Sequence, residues 1–248
     1  MTANLKNLLE EKTVGVAEDP AATQSISLIE NERSIVVRSK TNTPVDTGIV
    51  KYEYYNSFNY SLLAEQKGNI KLTLGITSPN EGEGKTLTAS NLAVSLTLGS
   101  RKKTVIVDMN LQQPRLHEIF GTERGPGLIE ALRGDPINIA PTKIDNLYLL
   151  SAGSAPRRSV KQNPIGLEYT SAFGEVLYAL EREFDFIIVD MPAIKKHEFP
   201  ILFVNHLNGL LVVVELGKTK RRDIDQIFRQ FNKNQVLGFV FNRVTDND

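Results

Sequence analysis

The stretch from Leu74 to Thr86 reads Leu-Gly-Ile-Thr-Ser-Pro-Asn-Glu-Gly-Glu-Gly-Lys-Thr. It follows a run of β-forming residues and precedes a helical pattern, which is the strand–loop–helix context of a phosphate-binding loop. Gly82 and Gly84 would let backbone N–H groups turn towards the phosphates. Pro79 stands where the pattern G-x-x-x-x-G-K-[ST] has its first glycine. The stretch nevertheless predicts a P-loop because the context and the rest of the pattern agree.

The end of this stretch carries the side chains that would contact a nucleotide. Lys85 would neutralise the β- and γ-phosphate oxygens, and the dipole of the following helix would add to its effect. The Thr86 hydroxyl would bind Mg²⁺. Glu83 belongs to the same predicted cofactor-binding segment. We therefore expect ATP or ADP with Mg²⁺ as the cofactors.

Apolar segments around the P-loop alternate between strand-like and helix-like patterns. Helical spacing i, i+3, i+4, i+7 recurs from Ala89, from Phe173 and from Ile224, and Gly99 is the expected stop of the first helix. The alternation predicts an α/β chain with a three-layer P-loop NTPase fold, a mostly parallel central sheet and helices on both faces. The candidate strands are residues 72–77, 104–107, 147–150, 186–189, 210–214 and 237–241.

Two aspartates follow candidate strands, Asp108 after Val105-Ile-Val and Asp190 after Phe186-Ile-Ile-Val. Carboxyl ends of parallel strands meet at one edge of a sheet, where ligands bind. A single aspartate there is usually a turn former or a helix cap. Two of them beside a P-loop indicate instead that the P-loop, Asp108 and Asp190 line one ligand-binding crevice.

The amino-acid composition of the chain argues against several classes of function. Lys plus Arg and Asp plus Glu each number 29 in 248 residues, so no global basic field favours nucleic acid. Two basic clusters, at 157–161 and 218–222, are more typical of solvated surface. The absence of cysteine excludes disulfides and thiolate metal sites. No apolar run suggests membrane insertion, so we expect a cytoplasmic protein that a partner could recruit to the inner face of the membrane.

The chain divides into two regions by composition. Residues 1–50 are polar and contain few aromatics, which predicts a flexible N-terminal arm or linker. Residues 51–248 carry the apolar segments and form the predicted nucleotide-binding domain.

The motifs together resemble the bacterial tyrosine kinases of capsule and exopolysaccharide systems. The resemblance rests on the P-loop, Asn91-Leu-Ala, the segments 105–117 and 185–192, and Gly238-Phe-Val-Phe-Asn-Arg-Val244. It covers roughly residues 50 to 245. The MinD and ParA ATPases are similar but less so, since they carry an extra lysine early in the P-loop where this chain has Pro79, Asn80 and Glu81.

The resemblance implies roles for further residues. Lys85 and Asp108 would be catalytic, with Asp108 as Mg²⁺ ligand and base, and Asp190 would bind Mg²⁺ through water. Asn242 would contact adenine and Arg243 would flank it. The implied partner is a membrane protein of polysaccharide co-polymerisation or export.

The chain departs from that family's pattern in charge. Asp108-Met-Asn110-Leu-Gln112 replaces Asp-x-Asp-Leu-Arg, which removes a carboxylate and a guanidinium near the metal. Asn56 and Asn59 replace arginines of a ring-forming helix, so we expect a monomer or small oligomer. The tyrosines at 52, 54, 55 and 60 lie near the front, and none lies in the segment 244–248.

Three hypotheses follow. The first is a nucleotide-binding regulator of polysaccharide synthesis and export with weak or no kinase activity. The second is an active protein-tyrosine kinase or ATPase that acts on a partner's tyrosines. The third is a structural adaptor without nucleotide, against which Lys85 and Thr86 speak.

Overall fold

The structure, a computed structural model, describes residues 35–39, 71–154, 169–195, 199–232 and 234–243. For residues 35–39 it describes the backbone alone. The helix predicted around Glu53, its neighbouring tyrosines and the basic cluster at 157–161 lie outside these ranges.

The described residues form one eight-stranded sheet with the spatial order β1-β8-β7-β2-β6-β3-β5-β4. All neighbouring strands in it run parallel except β4 and β5. The strands, in chain order, are β1 Ile35–Ser39, β2 Leu72–Thr77, β3 Thr104–Asp108, β4 Ala140–Pro141, β5 Leu147–Leu150, β6 Phe186–Asp190, β7 Gly209–Glu215 and β8 Val236–Asn242.

Helices cover both faces of this sheet. In the described residues they are α1 Lys85–Ser100, α2 Leu116–Phe120, α3 Leu128–Leu132, α4 Thr170–Glu183 and α5 Arg221–Gln230, with a 3-10 helix at Ile201–His206. The helices α1 and α2 pack on one face. The helices α3, α4 and α5 and the 3-10 helix pack on the other.

Side chains of one strand alternate between the two cores. In β3, Ile106 packs with the α1 core, whereas Val105 and Val107 pack with the opposite core. Successive side chains of a strand point to opposite faces, so a strand covered on both sides is buried throughout and mostly apolar. This arrangement confirms the predicted three-layer, mostly parallel fold.

The predicted elements agree with the structure with some exceptions at their ends. Each candidate strand lies within β2, β3, β5, β6, β7 or β8, and the three helical stripes lie on α1, α4 and α5, with Phe231 just beyond α5. The prediction that α1 ends at Gly99 was wrong, because the helix continues through Ser100. Arg101 follows it in the left-handed conformation at φ 57°. The Arg101 N–H then donates to the Thr97 carbonyl, which ends the helix.

Two strands were not foreseen. Five residues of the predicted arm form β1, which pairs in parallel with β8 at the sheet edge. The strand β4 has two residues and pairs with β5. The other residues of the arm lie outside the described ranges, and its boundary near residue 51 stays a prediction.

The order of the strands in the sheet indicates where a ligand site lies. The strand β2 lies between β6 and β7, and the chain leaves it for β3, which is two positions away on the β6 side. Ligands in open parallel sheets bind at such switch points, outside the carboxyl ends of the strands. The loop after β2 and the ends of β3, β6, β7 and β8 therefore border one crevice.

Candidate functional site

The predicted P-loop connects β2 to α1 across the mouth of this crevice. Gly82 and Gly84 have φ values of 80° and 95°, a backbone region that glycine adopts without strain. A Cβ atom on Gly84 would also collide with the side-chain amide of Asn242. Glycine at position 84 is therefore required by backbone conformation and by packing.

The helix α1 begins at Lys85 with its first N–H groups available. Its N-cap, Gly84, offers no side-chain hydrogen bond, and no acidic residue lies in the first turn. The uncapped N–H groups and the helix dipole attract an anion. Lys85 is buried at this end and Thr86 is half-buried. The loop thus has the geometry and charge of a phosphate cradle.

Asp108 and Asp190 end neighbouring strands and lie in register. They pair across β3 and β6, and both are fully buried. The carboxylate of Asp108 accepts hydrogen bonds from the backbone N–H groups of Asn110, Arg115 and Leu116 at 3.1–3.2 Å. The structure therefore brings together the two aspartates that the sequence placed at separate strand ends.

Asp190 is less well satisfied than Asp108. Neither of its oxygens has a hydrogen-bond partner among the described residues. Burial raises its pKa to about 6, although the charge of Lys85 and the nearby Thr86 hydroxyl lower it. Burial and repulsion by Asp190 raise the pKa of Asp108 to about 8, against the lowering effect of its backbone hydrogen bonds. Two buried carboxylates in such proximity are neutralised either by protons or by a bound cation.

These carboxylates fit a magnesium ion bound together with phosphate. Within the described ranges no group of three or more His, Cys, Asp or Glu could hold a metal by itself. Mg²⁺ is commonly held by one or two carboxylates plus substrate phosphates and water. The orphaned oxygens of Asp190, beside Asp108 and Thr86, match that donor set.

Asn242 and Arg243 lie at the end of β8, on the same side of the sheet. The buried Asn242 amide donates to the Glu83 carbonyl at 3.0 Å, so it contacts the P-loop directly. Arg243, with a left-handed backbone at φ 59°, donates from Nη1 to the Glu215 carboxylate at 2.5 Å. Asn242 therefore contacts the P-loop, whereas Arg243 is bound to Glu215 at the end of β7.

Asn110 and Gln112 lie in the turn after β3. The Asn110 side-chain amide donates to the Gln113 carbonyl at 3.2 Å and closes this turn. Gln112 is exposed. The asparagine therefore has a structural role that an aspartate, which cannot donate, would not fill.

The sequence analysis missed a polar cluster beside the P-loop. Asn80, Thr219, Asp223 and Lys195 converge on Glu83 or on one another through hydrogen bonds. Asn80 had been noted as a departure from the MinD pattern, and the others carried no signal. They are distant along the chain, so no local spacing links them.

In the parts of the chain that the structure describes, no helix is both long and apolar enough to cross a membrane.

Comparisons with known proteins identify the family of this chain and proteins that share its fold. A protein-family model described as "CobQ/CobB/MinD/ParA nucleotide binding domain" matches residues 74–248 of this chain. The tyrosine-protein kinase CpsD of Streptococcus agalactiae serotype Ia is 28% identical over 205 residues, which cover 78% of this chain and 83% of that protein.

Two solved structures share the fold. The kinase domain of the Escherichia coli tyrosine kinase ETK has a TM-score of 0.74 at 20% identity, covering 92% of this chain and 95% of that one. MinD of Pyrococcus horikoshii, complexed with Mg-ADP, has a TM-score of 0.55 at 23% identity, covering 72% and 74%. The fold and the P-loop agree with the sequence match, and the chain belongs to the CobQ/CobB/MinD/ParA nucleotide-binding domain family, with bacterial tyrosine-protein kinases among its relatives.

Proposed function

We propose that this chain binds ATP or ADP with Mg²⁺ in the crevice and regulates capsular or extracellular polysaccharide synthesis and export, with weak or no tyrosine kinase activity. The observation that carries nucleotide binding is the fully buried Asp190, whose unpaired oxygens lie beside Asp108 and the uncapped end of α1. A buried carboxylate without hydrogen-bond partners is costly unless a cation compensates it, and the uncapped N–H groups beside it attract an anion. Magnesium nucleotide supplies both charges.

Each predicted site residue has a role in this proposal. Lys85 and the N–H groups of α1 bind phosphate oxygens, and Thr86, Asp108 and Asp190 hold Mg²⁺. Bound there, the ion would neutralise phosphate charge. Asn242 contacts adenine and Arg243 flanks it. As catalytic base, Asp108 would have to be ionised to accept a proton, and a bound Mg²⁺ would favour that ionised form.

The proposal of weak catalysis rests on the turn after β3. Asn110 closes this turn through its amide, and Gln112 stands where the kinases that the chain resembles have arginine. Phosphoryl transfer depends on positioned charge, so an absent carboxylate and guanidinium reduce catalysis more than binding.

The partner and location are inferred from relatives. The similar CpsD is named as a tyrosine-protein kinase, and the resemblance to capsule and exopolysaccharide kinases suggests a membrane protein of polysaccharide co-polymerisation or export. We propose that such a partner brings a cytoplasmic, monomeric or small oligomeric chain to the membrane.

Nucleotide binding is tested by thermal unfolding with and without Mg²⁺. We expect Mg-ADP to raise the melting temperature, since a ligand that binds the folded state stabilises it by about 2.7 kcal/mol at one hundred times its Kd. Lys85→Ala should abolish the rise, because it removes the buried cation of the cradle. Lys103→Ala, an exposed lysine at the opposite end of the sheet, is the matched control. No shift with millimolar nucleotide in the native protein would favour the adaptor hypothesis.

An active kinase or ATPase is the second candidate. It is favoured by the convergence of Asp108 and Asp190 in register. Phosphate release and phosphorylation of a tyrosine peptide distinguish the two candidates. Turnover by the native chain supports the active enzyme. If native turnover is absent and Asn110→Asp with Gln112→Arg raises phosphate release, the lost charges are the cause.

A further inference from the structure

Two more acidic side chains are buried beside the crevice, and the proposed chemistry uses neither as a base or ligand. Glu83 is 2% exposed and Asp223 is 5% exposed. A buried carboxylate is costly unless its oxygens are paired. Glu83 also lies between the two phosphate-loop glycines, where an uncompensated negative charge would repel phosphates. Both carboxylates therefore require a structural explanation.

Donors from two separate segments saturate the Glu83 carboxylate. Its Oε2 accepts the backbone N–H of Asn80 at 2.8 Å. Its Oε1 accepts the Asn80 side-chain amide at 2.9 Å and the Thr219 hydroxyl at 2.5 Å. The Thr219 oxygen in turn accepts the Glu215 N–H at 2.9 Å. Glu83 thus ties the P-loop to the connection between β7 and α5.

Asp223 makes a second tie, between the P-loop and α5. It accepts a hydrogen bond from Lys195 Nζ at 2.6 Å and from the Asn80 amide at 3.3 Å. The same Asn80 nitrogen therefore donates to both carboxylates, one through each hydrogen. Lys195 supplies the cation that such a pair needs.

The segment after β6 completes the arrangement through its backbone. The Lys195 N–H donates to the Pro79 carbonyl at 3.2 Å, and the Ile194 N–H donates to the Ser78 carbonyl at 2.8 Å. The first half of the P-loop is therefore held from the ends of β6, β7 and α5 together.

We propose that Asn80, Glu83, Thr219, Asp223 and Lys195, the loop brace, hold the P-loop in its phosphate-binding shape before nucleotide arrives. Glu83 and Asp223 are then positioning residues for polyphosphate binding. A loop with two glycines in the left-handed region loses much conformational entropy when it becomes ordered. A brace that orders the loop during folding removes this cost from the binding step.

This inference rests on the proposed nucleotide binding and adds a selective effect to it. The brace contacts the loop that receives the β-phosphate. Loss of the brace should therefore weaken a diphosphate ligand much more than a monophosphate ligand. A merely structural role would weaken both ligands equally or neither.

The test measures the Kd of Mg-ADP by calorimetric titration for two test variants, each with its own control variant. The Kd of AMP is measured by competition with Mg-ADP. Thr219→Val removes the hydroxyl and keeps the shape, whereas Thr219→Ser restores the hydroxyl. Asp223→Asn removes a buried charge, and Asp225→Asn, an exposed carboxylate on the same helix, is its control. We expect Thr219→Val and Asp223→Asn to raise the Kd of Mg-ADP about tenfold, the effect of one lost charge-assisted hydrogen bond. The Kd of AMP should change less than twofold, and Thr219→Ser should bind Mg-ADP like the native protein.

Different failures have different meanings. If native protein binds Mg-ADP and both Thr219→Val and Asp223→Asn bind it equally tightly, the brace is not a positioning device. An equal loss for Mg-ADP and AMP would also overturn the inference. If native protein does not bind Mg-ADP, the proposed function itself fails. Should Thr219→Val not fold, Asp223→Asn alone decides.

Discussion

The crevice contains two pairs of buried carboxylates that the fold treats in opposite ways. Asp108 and Asp190 pair across β3 and β6, burial raises the pKa of both, and repulsion by Asp190 raises the pKa of Asp108 further. Asp108 accepts hydrogen bonds from backbone N–H groups, whereas the oxygens of Asp190 accept none within the described residues. Glu83 and Asp223 are nearly as buried, but each accepts several hydrogen bonds. Burial raises the pKa of Asp223, yet the hydrogen bonds from Lys195 and Asn80 hold it below its ordinary value.

The difference separates a ligand site from the scaffold that supports it. A buried carboxylate pair whose members repel each other, and of which Asp190 lacks hydrogen-bond partners within the described residues, destabilises the ligand-free fold and gains a partner when a cation binds. A carboxylate pair with partners stabilises the ligand-free fold and holds neighbouring loops. Opposite responses to neutralisation are therefore expected, and they provide the sharpest tests of this comparison.

The largest effect is expected at Glu83. Glu83→Gln replaces an acceptor by an NH₂ group that must face the Asn80 or Thr219 donors, so one buried donor loses its partner. We expect the free energy of unfolding to fall by on the order of 3 kcal/mol, since hydrogen bonds to charged groups are the stronger class. Urea denaturation measures it, with exposed Glu81→Gln as the control. An unchanged midpoint would show that Glu83 does not stabilise the loop.

Asp190→Asn should act in the opposite direction in ligand-free protein. The raised folded-state pKa means that the native chain loses stability as pH rises from about 4, the ordinary value, to about 6, and does not regain it above. The variant lacks this loss, so at pH 8 it should exceed the native stability by on the order of 2 kcal/mol. At pH 4 the two should agree.

This measurement needs a buffer free of phosphate, nucleotide and divalent cations. In the presence of Mg-ADP the order should reverse, because the variant loses a metal ligand. A variant less stable than the native chain at pH 8 without ligand would contradict the distinction between the two pairs.

Asp223→Asn should lower the free energy of unfolding by about 1–2 kcal/mol at pH 7, because it breaks a partly exposed ion pair with Lys195. A depressed folded-state pKa contributes stability above the ordinary value of 3.8, and this stability is lost as pH falls through the folded value. The difference between variant and native should therefore shrink in acid. Constant destabilisation from pH 7 to about pH 2 would mean that packing, not charge, is responsible.

The smallest effect concerns Asn110. Asn110→Asp cannot donate to the Gln113 carbonyl and adds a carboxylate near Asp108, so we expect a loss of about 1 kcal/mol in ligand-free protein. Asn110→Ser, which keeps a donor, should lose less. Thermal unfolding at pH 8 provides the comparison. Equal melting temperatures for Asn110→Asp and the native chain would show that the amide is not what closes the turn.

Much of the fold was readable from local pattern. Strands such as 72–77 and 186–190 are buried throughout and mostly apolar because both their faces are covered, and the helices α4 and α5 bury one face with a 3.6-residue period. Element ends were less accurate, as at Ser100, where a left-handed Arg101 rather than Gly99 ends the helix. The edge strand β1 contains the β-branched run Ile35-Val-Val37, a short strand signal that the polar residues around it outweighed.

The sequence by itself predicted where the ligand crevice lies and which residues line it. Gly82, Gly84, Lys85 and two strand-end aspartates predict it, because the direction of parallel strands brings their carboxyl ends to one edge whatever the loops do. Tertiary structure alone decided that Asp190 lacks hydrogen-bond partners among the described residues whereas Glu83 and Asp223 have them. Glu83 and Asp223 are separated from Thr219 or Lys195 by long stretches of chain, and hydrogen bonds between such segments leave no periodic trace in the sequence. Burial and pairing depend on the whole fold, and they distinguish the proposed ligand carboxylates from the structural ones.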